Sequence, residues 1–123
     1  MPEPTILVVD DDPVILDLIT INFEMEGYTV LRATDGALAL ERVRADRPSV
    51  VVTDIMMPNL SGTDLLFQIK ADPEIASTPV VLLSAKALAA DVREGIASGA
   101  DDYITKPFEP DDLLARVVKL LPG

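Results

Sequence analysis

The chain contains no cysteine and no histidine in its 123 residues. The first absence excludes disulfides, thiolate metal sites and thiol nucleophiles. The second removes imidazole ligands, Ser-His-Asp catalysis and any phosphohistidine carried by the chain itself. Tryptophan is also missing and aromatics make up only 4%, so the core must be largely aliphatic. Basic residues are few: 10 Lys and Arg stand against 21 Asp and Glu, for a formal charge of −11. A small domain this acidic has no general electrostatic footprint for nucleic acid. Most of the acidic excess reads as solvated surface, and the remainder as a cluster that could hold a cation.

Long apolar runs are absent too. The nearly apolar stretches at 79–83 and 87–90 fall far short of the roughly 20 residues that cross a bilayer, so no membrane partner is expected. Met1-Pro2-Glu3-Pro4 offers no basic segment followed by an apolar core, hence no secretory signal, and the expected location is cytoplasmic. The length fits one domain, 1–123 with its core at about 5–121, able to bury roughly two-thirds of its unfolded surface. Pro122-Gly123 reads as a tail or the start of a linker. The chemistry left to such a chain uses carboxylates, hydroxyls, amines, backbone groups and bound ions.

What is present alternates between two apolar periods. Thr5–Val9 is a β-branched run without polar alternation, the pattern of a strand buried on both faces. Pro13–Glu26 follows as a helix with apolar residues at 14, 15, 18, 21 and 25 on one side. Asp12 suits the N-cap, Pro13 the first helical position and Gly27 the position after the end. The unit then recurs. Tyr28–Leu31 reads as a strand, and Asp35–Ala45 as a helix with Ala37, Leu38, Leu40 and Val43 facing inward. Val50–Val52 is a third strand. Ser61 and Asp64 open a helix through Leu65, Leu66 and Ile69. Pro79–Leu83, Ala89–Ser98, Tyr103–Thr105 and Asp111–Leu121 complete the series as strand, helix, strand and helix. Five strands alternating with five helices predict an α/β, doubly wound parallel sheet with helices on both faces.

In such a sheet the functional crevice lies beyond the carboxyl ends of the strands. The first strand ends in Asp10-Asp11-Asp12, the third in Asp54, the fourth in Ser84, and the fifth is followed by Lys106-Pro107. The separations are 43, 30 and 22 residues from Asp11 to Asp54 to Ser84 to Lys106. Each fits one or two strand–helix units, so all can converge on one edge. Gathered carboxylates repel unless a divalent cation or an ammonium offsets them. Oxygen donors without His or Cys favour Mg²⁺ or Mn²⁺. A carboxylate can also attack phosphorus to give an aspartyl phosphate, with metal and Lys neutralising the phosphoryl oxygens.

Four segments in order, ILVVDDDP (6–13), VVTDIMMPNLSG (51–62), PVVLLSAKA (79–87) and GADDYITKPF (99–108), resemble the receiver domain of two-component response regulators over essentially the full length. The resemblance implies a flavodoxin-like (βα)5 fold with strand order 2-1-3-4-5. It implies that Asp54 is the phospho-acceptor and that Asp10 and Asp11 are the acidic pair. Asp11, Asp54 and the backbone carbonyl of Met56 would ligate Mg²⁺, with Asp10 acting through water. Ser84 matches the hydroxyl that turns toward the phosphoryl group, Tyr103 the aromatic that swings in behind it, and Lys106 the site lysine, whose bond to the following Pro is often cis in the family. Met56 and Lys86 stand where relatives modulate the phosphoryl lifetime.

The implied partners are a histidine kinase or histidine phosphotransfer protein, which must supply the phosphohistidine in trans, and an output partner or effector domain. Val14, Ile15 and Leu18 with Pro107 and Phe108 form a candidate docking patch. GADDYITKPF also resembles receivers of winged-helix transcription factors. That implies a weak phosphorylation-dependent homodimer using the fourth helix, fifth strand and fifth helix, with Asp102 and Arg116 as one pair. Val92, Ala97 and Val118 stand where further pairs would need charges.

Three other readings fit less well. An aspartyl-phosphate phosphatase wants a second Asp two residues after the nucleophile, where Met56 stands. A nucleotide-binding domain wants a Gly-rich first turn, where Asp-Asp-Asp-Pro stands. A degenerate receiver would have lost the acceptor, the acidic pair or the lysine. The expected role is therefore a signalling switch and not a turnover enzyme.

Overall fold

The computed structural model describes residues 4–85 and 89–121. Lys86 and Pro122-Gly123 lie outside these described residues. Ten elements alternate along the chain: β1 (Thr5–Val9), α1 (Pro13–Met25), β2 (Thr29–Ala33), α2 (Gly36–Asp46), β3 (Val50–Asp54), α3 (Gly62–Ala71), β4 (Val80–Ser84), α4 (Ala89–Ala97), β5 (Asp102–Thr105) and α5 (Pro110–Val118). The strands form one parallel sheet in the order β2-β1-β3-β4-β5. This is the doubly wound fold that the alternation and the resemblance both implied.

The three central strands are aliphatic because both of their faces are covered. Leu7, Val9, Val51, Val80 and Leu82 point toward α2, α3 and α4, in a cluster with Ala39, Val43, Leu65, Leu66 and Ile69. Ile6, Val8, Val50, Val52, Val81 and Leu83 point the other way, toward Leu16, Ile19 and Phe23 of α1 and Leu113 and Val117 of α5. Each such fully buried side chain contributes roughly 1.5–3 kcal/mol of transfer free energy.

Caps fix the helix starts. Asp12 accepts a hydrogen bond from Val14 N–H at 2.9 Å, with Pro13 in the first turn. Asp35 accepts from Leu38 N–H at 2.9 Å, and Ser61 from Asp64 N–H at 3.1 Å. Gly27 follows α1 with φ 91°, a left-handed conformation that L-side chains resist.

Two helix faces differ from the sequence reading. On α1 the stripe of 14, 18, 21 and 25 faces solvent, and only Ile15 of the set is half-buried. The buried face is Leu16, Ile19, Thr20 and Phe23, with Thr20 made tolerable by its hydroxyl donating to Leu16 C=O at 2.7 Å. On α2 the inward residues are Gly36, Ala39 and Val43, while Ala37 and Leu38 are exposed and Leu40 is half-buried. Small residues face inward there because α2 lies close to the β3–α3 loop. A β-carbon on Gly36 would stand 2.0 Å from the Leu60 carbonyl oxygen. Boundaries also move: β2 starts one residue later and runs on to Ala33, and α5 ends at Val118.

Candidate functional site: an acidic cleft at the strand ends

Parallel strands place all their carboxyl ends on one edge, and the register brings the polar residues to similar heights. Val9 pairs with Thr53, Asp54 with Leu83 and Ser84 with Thr105. Asp10 thus leaves β1 beside the end of β3, Asp54 closes β3, Ser84 closes β4, and Lys106 follows β5.

Asp10 is fully buried, Asp54 is 8% exposed and Ser84 is 1% exposed, whereas Asp11 is exposed. Asp10 is held by two interactions. Its carboxylate accepts from Asp12 N–H at 2.9 Å and from the Lys106 ammonium at 2.9 Å. Lys106 also lies 3.4 Å from the Asp54 carboxylate. Oxygens of Asp10, Asp11 and Asp54 all fall within 4.8 Å of one another. Three carboxylates therefore face one ammonium.

The electrostatics follow. Burial pushes the Asp54 carboxyl above its ordinary value, and the Asp10 charge adds to this, while Lys106 and the Met56 N–H oppose it. For Lys106, burial alone would lower the ammonium's value. The hydrogen bond and charge of Asp10, then the charge of Asp54, outweigh burial and leave it raised.

The donor set suits a hard divalent cation. Every side-chain donor is a carboxylate oxygen, the spacing matches a shared ion, and the negative excess gives it a reason to bind. Asp10, Asp11 and Asp54 are the residues that could hold it.

The loop after Asp54 is pinned from two sides. A β-carbon on Gly62 would stand 2.1 Å from the Asp54 carbonyl oxygen, and Gly62 N–H donates to Ile55 C=O at 2.8 Å. Asn59, with φ 67°, donates its amide to the Asp35 carboxylate at 3.1 Å. Leu60 rests on Gly36. These contacts fix the segment that carries Met56, whose side chain is 68% exposed. Sequence patterns assigned no role to Gly36, Asn59 or Gly62, although the last two lie within segment 51–62; for the two glycines the available signal was their place at the first position of α2 and α3.

Tyr103 is 6% exposed, with its ring in the cluster beneath α4. The Lys106–Pro107 bond is cis. Ile15, Leu18, Pro107 and Phe108 line one groove of about 400 Å³ with Ala85 and Lys106, and Val14 is not part of its lining. Asp102 and Arg116 form an ion pair within the chain at 3.6 Å, and Arg116 also reaches Asp112 at 3.8 Å.

Residues 6–118 match the model of the response regulator receiver domain, and the chain belongs to that family. It is thus a receiver domain, the phospho-accepting switch module of two-component signalling. It is 45% identical over 112 residues to the DNA-binding response regulator MtrA of Mycolicibacterium smegmatis, covering 91% of this chain and 48% of that protein. Among solved structures it resembles the Francisella response regulator 1452 receiver domain, at 41% identity and TM-score 0.90, covering 95% of each chain. It also resembles the receiver domain of the sensor histidine kinase PA1611 from Pseudomonas aeruginosa, at 28% identity and TM-score 0.87 over 97% of this chain and 98% of that one. That structure has a magnesium ion coordinated in its active-site cleft. The chain spans about half the length of the curated relatives it matches.

Proposed function

We propose that Asp54 accepts a phosphoryl group from a phosphohistidine on a partner kinase or phosphotransfer protein. The observation that carries this reading is the buried Asp54 carboxylate beside Asp10, Asp11 and Lys106. A carboxylate oxygen of Asp54 attacks phosphorus. The new O–P bond forms as the N–P bond breaks, and the imidazole nitrogen leaves with the electron pair. The Lys106 ammonium, 3.4 Å from Asp54, offsets charge on the transferred oxygens. Ser84, one residue beyond Asp54's level on the neighbouring strand, donates its hydroxyl to the phosphoryl group.

Asp11, Asp54 and the Met56 carbonyl would hold Mg²⁺ or Mn²⁺, with Asp10 acting through water. When bound, the cation neutralises phosphoryl oxygens and orients the donor. The magnesium in the cleft of the PA1611 receiver supports this by analogy. Ser84 and Lys106 then bias a two-state equilibrium that ends with Tyr103 buried and the α4-β5-α5 face altered for an output partner. The same chemistry run with water removes the phosphoryl group, so the domain promotes only its own modification and its reversal. Exposed Met56 shields the acceptor from attacking water.

The groove lined by Ile15, Leu18, Pro107 and Phe108 is apolar and borders Lys106, which fits docking of the phosphodonor helix, with exposed Val14 of α1 as a further member of the patch. A phosphorylation-dependent homodimer through α4-β5-α5 requires Arg116 to leave Asp102 of its own chain for that of a partner. A cytoplasmic location fits a phosphohistidine donor.

Incubation with Mg²⁺ and acetyl phosphate, followed by intact mass, tests the central claim. One added phosphoryl group is expected, lost in Asp54→Asn and without Mg²⁺. A mass gain that persists in Asp54→Asn refutes the assignment.

A further inference from the structure

Helix α4 joins the molecule through a narrow surface. Among its described side chains Gly95 is the only buried position, with Asp91 and Val92 half-buried. Glycine is a poor choice in a helix interior, since it loses more backbone freedom on folding than other residues. Its position coincides with the ring of Tyr103. A β-carbon on Gly95 would stand 2.6 Å from Tyr103 Cδ2 and 3.0 Å from Cε2, with Leu82 Cδ1 at 3.4 Å. The first distance is well inside carbon–carbon contact, which lies near 3.5–4.0 Å. In this arrangement a buried ring and a side chain at position 95 exclude each other.

We infer that Gly95 is the positioning residue of the aromatic switch: its missing β-carbon is the slot in α4 that admits the Tyr103 ring. Gly95 therefore sets how often the ring is buried before any phosphoryl group is present. The inference rests on the proposed role of Tyr103, while the slot is a geometric fact of its own. A cleft of about 250 Å³, lined in part by Ile55, Thr63 and Glu94, opens beside the ring. A ring displaced by a β-carbon moves into this open cleft or out past β5, and either place is wet. Ring burial and occupancy of Asp54 are linked, so a change that disfavours burial weakens phosphoryl binding by up to the same factor.

The lack of tryptophan makes the test direct. In a Tyr28→Phe chain Tyr103 is the sole tyrosine, and acrylamide quenching of its emission reads ring exposure in the unphosphorylated protein. Gly95→Ala is expected to raise the quenching constant toward that of free tyrosine with helix content retained. The overpacking shifts the ratio of buried to exposed ring by about tenfold. The same substitution weakens binding of beryllofluoride with Mg²⁺ by up to about tenfold. That loss disappears in a Tyr103→Ala background, where no ring competes for the slot. Unchanged quenching in Gly95→Ala, or an equal loss of beryllofluoride binding with and without the ring, overturns the inference. If Gly95→Ala alone does not fold, recovery in the Gly95→Ala, Tyr103→Ala double variant supports the slot, and continued failure overturns it. Failure of the phospho-acceptor reading shows separately, as no mass gain in the unmutated chain, because quenching is read without phosphorylation.

Discussion

Asp54 is a carboxylate held where its charge is disfavoured. Burial raises its pKa, and Asp10 adds to the effect against the opposing pull of Lys106. The folded chain therefore binds this proton more tightly than the unfolded chain. Stability falls as pH rises through the window between the ordinary carboxylate value and the raised one, and the whole penalty is present at neutral pH. Asp54→Asn keeps the shape and removes the charge. It is expected to raise the urea midpoint at pH 7 without divalent cation, and the advantage should shrink as pH approaches 4. An advantage independent of pH would place the effect elsewhere. At Lys106 it is the charged form that the fold favours. Its raised pKa means that its stabilising contribution is intact at neutral pH and is lost only as pH climbs through that raised value. Asp35 is a third case. The hydrogen bond from Leu38 N–H lowers its pKa, so its cap holds above the ordinary carboxylate range and fails as pH falls through the lowered value.

Helices show where sequence patterns carry information and where they do not. The strands were legible because burial on both faces leaves only aliphatic residues, as in Val50–Val52. Their carboxyl ends were legible because Asp10, Asp54 and Ser84 each close such a strand with a polar group, and Lys106 follows the short fifth strand. The faces of α1 were not. Apolar residues occupy almost its whole circumference, so periodicity alone could not choose between the stripe at 14, 18, 21 and 25 and the set Leu16, Ile19 and Phe23. Packing decides, and it is testable. Phe23→Ala is expected to cost about 3–5 kcal/mol and Ile19→Ala about 2–5 kcal/mol in denaturant unfolding. Ile21→Ser and Met25→Ser, both exposed, should stay within about 0.5 kcal/mol. Equal losses on the two faces would reverse the assignment. The face of α2 was hidden for a different reason. Close approach to Leu60 requires Gly36, and small residues such as Gly36 and Ala39 carry almost no hydrophobic signal. Gly95 escaped notice likewise, since what it contributes is an empty volume. The lone glycine inside a helical pattern was the available clue.

At the scale of the whole molecule, a charge of −11 works against compactness, and three carboxylates gathered at one edge concentrate that cost. Sodium chloride near 0.15 M screens beyond a Debye length of about 8 Å and relieves the diffuse part. A divalent cation held by Asp10, Asp11 and Asp54 would relieve the local part by binding the folded state alone. Mg²⁺ at about a hundred times its dissociation constant is expected to add about 2.7 kcal/mol to unfolding free energy. The gain should exceed that of NaCl at equal ionic strength, vanish with EDTA and be smaller in Asp11→Asn. Calorimetry with the two salts separates the effects, and equal shifts would reduce Mg²⁺ to a screening ion.

The ion pair between Lys106 and Asp10 joins residues 96 positions apart. During synthesis Asp10, Asp11 and Asp54 leave the ribosome first, and the compensating ammonium of Lys106 arrives only after β5. A nascent or truncated chain ending before β5 carries Asp54 without its counter-charge and without the groove wall of Pro107 and Phe108. The charge balance of the cleft is thus withheld until translation has passed β5, and a closed cleft certifies that the ribosome has moved at least that far.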